Sequence, residues 1–353
     1  HHLGFGLDIE ETVSRRTVND YRIATNKLTG IETTTDVTTD KFPENKTKRQ
    51  GIYINDQIKL LDDALVVTPG LRYDRYDMDP NRALKADNTP YQAIEESAVS
   101  FNIGALYYFS DRLSAFAQYG QGFKVPPYDL AYIEQDNFMA GYRVIPSEDL
   151  EAEESDSYEI GLRGHIDNFA FSSAVFYNQY DNFITTDLIS SEIIFGMPVN
   201  VFQYQNIESV TIKGAEVGVT YYFANQLSAY FNASYQDGKD DESGEYIDSI
   251  SPLSGTAGIS YEANSWNLEL IANWARAMTK VNIDEAATAS YVSVDLLGEY
   301  QVNENLELHL ALSNVFDREY LDYNNKPSIT DSADPDLYAE PGRVVSASVQ
   351  YTF

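Results

Sequence analysis

Tyr128, Tyr132, Met139 and Tyr142 fall within one polar stretch, residues 126–155, and are the side chains best suited to hold a ligand. A phenolate oxygen or a thioether sulfur can ligate iron, and a phenol ring can stack on a flat conjugated molecule. The same rings can instead pack the stretch against its neighbours, and the sequence leaves both roles open. The four histidines are His1, His2, His165 and His309, and none falls in that stretch. His309 shares the polar face of a strand with Glu307, where a lone imidazole is ordinarily just hydrogen-bonded. No nucleophile–base pair, phosphate-binding loop or metal-ligand spacing occurs. The acidic run from Asp237 to Glu245 fails as a calcium loop because Lys239 stands where a ligand is needed. Asp331, Asp334 and Asp336 likewise read as solvated acids. The expectation is a chain that is no enzyme, with no catalytic residues, no metal site and no intrinsic cofactor.

Composition narrows the partners. The chain has 24 basic and 55 acidic residues, a net charge of −31, which argues against nucleic acid because binding phosphates needs Lys and Arg. Cysteine is absent, so disulfides and thiolate chemistry are excluded. Mean hydropathy is −0.37 and no run of about 18 apolar residues occurs, so no transmembrane helix is expected. A membrane β-barrel would show no such run, since only every second residue of a strand faces lipid.

Alternation of apolar and polar residues must position everything else. In Gly342–Phe353, Val345, Ala347, Val349, Tyr351 and Phe353 share one face of an extended strand. Leu306, Leu308, Leu310 and Leu312 do the same, opposite Glu307, His309, Ala311 and Ser313. The pattern predicts about fourteen strands, among them 156–165, 169–184, 201–223, 266–280, 291–302 and 306–320. Residues 17–48, 126–155 and 185–200 are expected as long polar connections. Short polar turns alternate with these long loops, the asymmetry of outer-membrane barrels. Aromatics cluster at strand ends: Tyr107 to Phe109, Tyr221 to Phe223, Tyr351 and Phe353 at the short-turn end; Tyr73, Tyr76, Tyr180, Phe183 and Tyr320 toward the long loops. Two such belts are expected at lipid headgroups. The fold class expected is all-β, a transmembrane antiparallel β-barrel. The chain opens on His1-His2-Leu3, without initiator Met or signal peptide, and reads as a processed or partial polypeptide.

Leu312 to Tyr320 reads L-S-N-V-F-D-R-E-Y, and Pro341-Gly342-Arg343 leads into the strand ending at Phe353. Tyr204-Gln205-Asn206 is followed by Lys213-Gly214-Ala215-Glu216. Tyr119 to Tyr128 reads Y-G-Q-G-F-K-V-P-P-Y, and Ser155 to Gly164 reads S-D-S-Y-E-I-G-L-R-G. These stretches resemble, in turn, the C-terminal box and the Y-x-N…G-x-E strand of TonB-dependent outer-membrane receptors, and the haem and haemoglobin branch of that family. The branch's F-R-A-P signature corresponds to Phe123-Lys124-Val125-Pro126, and its N-P-N-L to Ser147-Glu148-Asp149-Leu150. The family motif is thus carried by Phe123, Lys124, Pro126 and Leu150. The branch places a haem-ligating His between the two signatures, and this chain has none there.

The resemblance implies a 22-strand barrel filled by an N-terminal plug. Residues 1–353 would be its C-terminal part, about fourteen strands, with the plug and first strands outside this chain. It implies active uptake of haem, or of iron from a haemoprotein, across the outer membrane of a Gram-negative bacterium. Haem would then be a transported ligand, and the partners would be outer-membrane lipid, the TonB complex through the N-terminal region, and a haemoprotein. Acidic lumen groups such as Asp295, Glu299 and Glu307 would hydrogen-bond the plug, while Tyr351 and Phe353 would form the membrane-assembly signal. The alternatives are a ferric-siderophore receptor of the same superfamily and a passive outer-membrane channel.

Overall fold

The computed structural model describes residues 1–353 except 27–28, 86–87, 139, 195, 224–225, 248–249, 282–285 and 326–334. Strand β1 (His2–Ser14) is followed by β2 (Thr17–Thr25) and β3 (Glu32–Asp40). Then come β4 (Asn45–Leu60), β5 (Leu65–Asp79), β6 (Ile94–Ser110) and β7 (Leu113–Lys124). A one-turn helix α1 (Tyr128–Ala131), β8 (Gln135–Asn137) and β9 (Tyr142–Ile145) precede β10 (Glu153–Ile166). β11 (Phe169–Ile194) and β12 (Met197–Tyr222) are the longest, at 26 residues each. β13 (Leu227–Asp240), β14 (Ser254–Glu262), β15 (Trp266–Ala275), β16 (Tyr291–Asn303), β17 (Leu306–Ser313) and β18 (Val344–Tyr351) follow.

One antiparallel path links β1-β4-β5-β6-β7-β10-β11-β12-β13-β14-β15-β16-β17-β18, fourteen strands, as the alternation predicts. The pleat makes each strand two-faced, and the registers keep the faces in line across the sheet. Leu308 lies opposite Tyr300 and Val349, and Leu310 opposite Gly298 and Ala347. Leu270 faces Ile259 and Leu296, Ile160 faces Ala117 and Val175, and Ile54 faces Phe5 and Leu71. These side chains stand open: Leu310 is 56% exposed, Ile160 58% and Val349 68%. Each would forfeit about 1.5–3 kcal/mol facing water rather than an apolar medium, and the band spans the whole sheet. An apolar solvent is therefore built into the fold.

The other face is polar and pairs its groups internally. Gln118 Nε2 donates to Glu159 Oε2 at 2.7 Å, Asn273 Nδ2 to Asp295 Oδ2 at 3.0 Å, and Tyr230 Oη to Glu269 Oε1 at 2.8 Å. Arg72 reaches over β4 from β5 to β1, with Nη1 2.8 Å from Asp8 Oδ2 and Nε 2.6 Å from Asp74 Oδ2. Gly51, opposite both Asp8 and Asp74, makes room: a Cβ there would lie 2.2 Å from Arg72 Nη2.

Aromatic residues mark the two edges of the apolar band. At the short-turn end, Tyr107–Phe109, Tyr221–Phe223 and Tyr351–Phe353 pair edge to face at 5.0, 4.7 and 5.0 Å. At the other edge Phe101, Tyr119, Tyr158 and Tyr177 form a row across β6, β7, β10 and β11, with centroids 6.2, 4.9 and 6.4 Å apart. From Phe169 to Tyr177 is nine residues of β11, about the nine to eleven that a tilted transmembrane strand needs. The second row is therefore set by mid-strand rings. Tyr180, expected in it, lies opposite the fully buried Val210 on the polar side.

Four stretches depart from expectation. Residues 185–200 are mostly strand: β11 and β12 continue past the sheet as a two-stranded ribbon turning at Gly196, whose φ of 79° suits glycine. Within 17–48, β2 and β3 form a separate hairpin. β15 stops at Ala275 and β17 at Ser313, five and seven residues early. Asn314, at φ 49°, turns the chain out of the sheet after β17.

Candidate functional site

Residues 126–155 pack against the connections that precede β4 and β6 and against β11 and β12. α1 starts directly after the Pro126-Pro127 pair, where a proline ring fixes φ and has no N–H to satisfy. The helix carries Tyr128 and delivers Tyr132 into a small core with Phe42, Met78, Tyr91, Ile94, Ala131, Leu150 and Ile184. These residues come from the β3–β4, β5–β6 and β7–β10 connections and from the ends of β5, β6 and β11, so the core holds separate loops in one body. Tyr132 is fully buried, edge-on to Tyr91 at 5.7 Å, and its hydroxyl donates to the Gln92 carbonyl at 2.9 Å. Burial, reinforced by Glu148 and Asp79 nearby, pushes its phenol well up, so it stays protonated at neutral pH.

Tyr128 is half-buried and meets Phe42 edge to face at 5.0 Å. Tyr142, also half-buried, accepts a hydrogen bond from Gln135 Nε2 at 3.0 Å within the β8–β9 hairpin. β9 in turn runs parallel to β12, pairing Tyr142–Ile145 with Asn200–Gln203. Tyr128 and Tyr132 thus meet in one core, and Tyr142 stands apart on the small hairpin. Met139 lies outside the described residues.

The motif residues turn out to be fasteners. Pro126 is fully buried and Leu150 is 4% exposed. Lys124 Nζ lies 2.6 Å from Glu153 Oε2, and Glu153 Oε1 accepts the Ile184 N–H at 2.9 Å. Glu148 accepts from Lys85 and, at 2.8 Å, from the Gln92 N–H. Asn206, from the Y-x-N stretch, donates to the carbonyls of Asn182 (2.6 Å) and Glu151 (3.0 Å) and accepts from the Glu151 N–H (2.9 Å). Asn314 of the last box donates to the Arg318 carbonyl at 2.8 Å and accepts its N–H at 2.8 Å. Asn206 and Asn314 share a use: a carboxamide that donates and accepts can fix a turn that leaves the sheet. Asn206, Glu153 and Asn314 were not singled out from the sequence as individual site residues, although two of the stretches quoted for resemblance contain Asn206 and Asn314.

A sheet with an exposed apolar band, aromatic edges, short turns at one end and a clasped loop body at the other matches a known profile. Residues 1–315 match the family described as TonB dependent receptor-like, beta-barrel. The chain belongs to that family. Its members are outer-membrane transporters and receptors of Gram-negative bacteria rather than enzymes. The chain is therefore a transmembrane antiparallel β-barrel chain, its apolar band the lipid face.

Among relatives, Heme/hemopexin utilization protein C of Haemophilus influenzae is 25% identical over 303 residues, covering 76% of this chain and 40% of the relative. Hemoglobin and hemoglobin-haptoglobin-binding protein A of Haemophilus influenzae is 24% identical over 324 residues, covering 81% and 30%. The Ferric enterobactin receptor of Pseudomonas aeruginosa is 22% identical over 328 residues, covering 86% and 42%. The chain thus spans less than half the length of these relatives. Of solved structures, Copper transporter OprC superposes with a TM-score of 0.78 at 19% identity, over 99% of this chain and 54% of that one. That likeness bears on the fold.

Proposed function

We propose that the complete protein takes up haem, or iron from a haemoprotein, across the outer membrane of a Gram-negative bacterium, energised through the TonB complex. This chain supplies barrel wall and outer loops; an N-terminal region supplies the remaining strands and a plug. The observation that carries the substrate class is the pair of relatives named for haem–hemopexin and haemoglobin, which align with 76% and 81% of the chain. Tyr128 and Tyr142 are the reachable rings for contact with haem or a haemoprotein, and Tyr132 keeps the core beneath Tyr128 folded. With no His between the two motif stretches, haem iron held by this loop would take Tyr or Met as its ligand.

Absorbance titration of the complete receptor with haem tests the reading. Replacing Tyr128, Tyr132 and Tyr142 together by Phe keeps the rings and removes the oxygens, so a changed haem spectrum supports ligation here. An unchanged spectrum with intact growth on haem leaves these rings packing and partner contacts. A receptor that binds a ferric siderophore and no haem overturns the haem assignment. The match to the ferric enterobactin receptor favours that second reading. A large steady conductance of the complete protein in planar bilayers would instead support a passive channel.

A further inference from the structure

The polar face holds an arrangement that no spacing motif marks. β16 and β17 form a hairpin whose register sets Glu299 opposite His309 and Gln301 opposite Glu307. Glu299, Glu307 and His309 all project from the face opposite Leu308 and Leu310. His309 Nδ1 lies 3.6 Å from Glu299 Oε1, and Nε2 lies 3.9 Å from Glu307 Oε2. Both distances are too long for a hydrogen bond, so the three groups converge without satisfying one another. One ligand atom from each falls within 4.8 Å of the others. Asn267, opposite Glu299 on β15, donates Nδ2 to Glu299 Oε2 at 3.2 Å and so orients that carboxylate. Its own Oδ1 is buried with no hydrogen-bond partner.

We propose that Glu299, Glu307 and His309 form a binding site for a first-row divalent metal ion on the inner wall of the barrel. Two carboxylate oxygens and one imidazole nitrogen suit Zn²⁺, Mn²⁺ or Co²⁺, and the imidazole disfavours Mg²⁺ and Ca²⁺. Bonds of about 2.0–2.2 Å draw the ligand atoms to about 3.4 Å apart. Rotation of the two flexible Glu side chains supplies that contraction. The carboxylates bring two negative charges that a divalent ion neutralises, and Asn267 is the outer hydrogen bond that fixes a ligand's orientation. The three side chains are roughly one-third to one-half exposed, so further coordination positions are open to water or to a group from whatever fills the lumen.

The test is to strip the complete receptor of metal in detergent and titrate it with Co²⁺, reading the visible ligand-field absorption, then to displace Co²⁺ with Zn²⁺. One Co²⁺ equivalent with a nitrogen-containing ligand set is expected. His309→Gln should abolish the band, and Glu299→Gln and Glu307→Gln should each weaken binding by about tenfold or more. Glu242→Gln, in the exposed acidic loop, should change nothing. Far-UV circular dichroism identifies variants that fold, and any one folded member of the three decides. No uptake of Co²⁺ at micromolar concentration by the unaltered receptor overturns the proposal, as would happen if a cation from the lumen filled the gap. An unaltered band in folded His309→Gln overturns it equally.

Discussion

Lys124 Nζ lies 2.6 Å from Glu153 Oε2, and the pair joins β7 to β10 where the 28-residue connection between them begins and ends. The two partners are unequal. The Lys124 side chain is 59% exposed and that of Glu153 only 9%, with its second oxygen capping Ile184. Glu153→Ala should therefore cost about 1–3 kcal/mol, the range for stranding a buried donor. Lys124→Met should cost at most about 1 kcal/mol because water screens its end of the pair. Urea titration of the receptor refolded in lipid would measure both. Equal losses would show that the ion pair itself dominates.

Membrane depth gives a second prediction. Leu308 and Leu310 occupy the apolar face between the two aromatic edges. Changing either to Arg should destabilise the barrel by about 2–4 kcal/mol at mid-bilayer. Ala311→Ser, on the opposite face, should be nearly neutral. Equal tolerance on both faces in a lipid refolding assay would contradict the placement of the lipid band.

The glycine beneath Arg72 gives a third. Gly51→Ala should displace the guanidinium, whose Nη2 donates to Asp74 Oδ1 at 2.7 Å and whose Nη1 reaches Asp8, and cost about 1–3 kcal/mol, since the displaced charge loses a partner. The double change Gly51→Ala with Arg72→Ala should recover part of that loss, because the closest conflict disappears and only that with Asp74 Oδ1 at 2.8 Å remains. A thermal shift series on the four proteins reads the coupling. Additive losses would mean that the close contact at 2.2 Å is relieved at no cost.

At the chain's end, Phe353 is fully exposed and stacks edge-on to Tyr351 at 5.0 Å. Removing Phe353 should lower the amount of receptor inserted into the outer membrane and leave ligand affinity of the inserted fraction unchanged. Quantifying membrane fractions beside binding measurements checks this. Normal insertion with weakened binding would reassign the residue.

Most of the strand path was legible because lipid imposes period-2 alternation, as in Leu306 to Leu312. The ribbon at 185–200 escaped that reading because it rises clear of the sheet, where neither face has a lipid side to mark. Thr33, Thr34, Thr35, Thr38 and Thr39 gave β3 its branched side chains without any apolar alternation. The site was less legible. Sequence named Tyr132 but could not show that Phe42 and Tyr91, from other connections, close over it. The Glu299–His309 juxtaposition was within reach: counting outward from the turn at residues 303–305 pairs the two.

The ribbon formed by β11 and β12 has a consequence for reach. Beyond Tyr177 it continues 17 residues to Ile194, a contour of about 56 Å at 3.3 Å per residue. A disordered segment of that length would hold its far end about 23 Å away on average. Leu188, Ile193 and Met197 are therefore carried about twice as far along on paired backbone, where they stand exposed. A body approaching that end would meet these exposed apolar side chains on paired backbone rather than on a disordered segment.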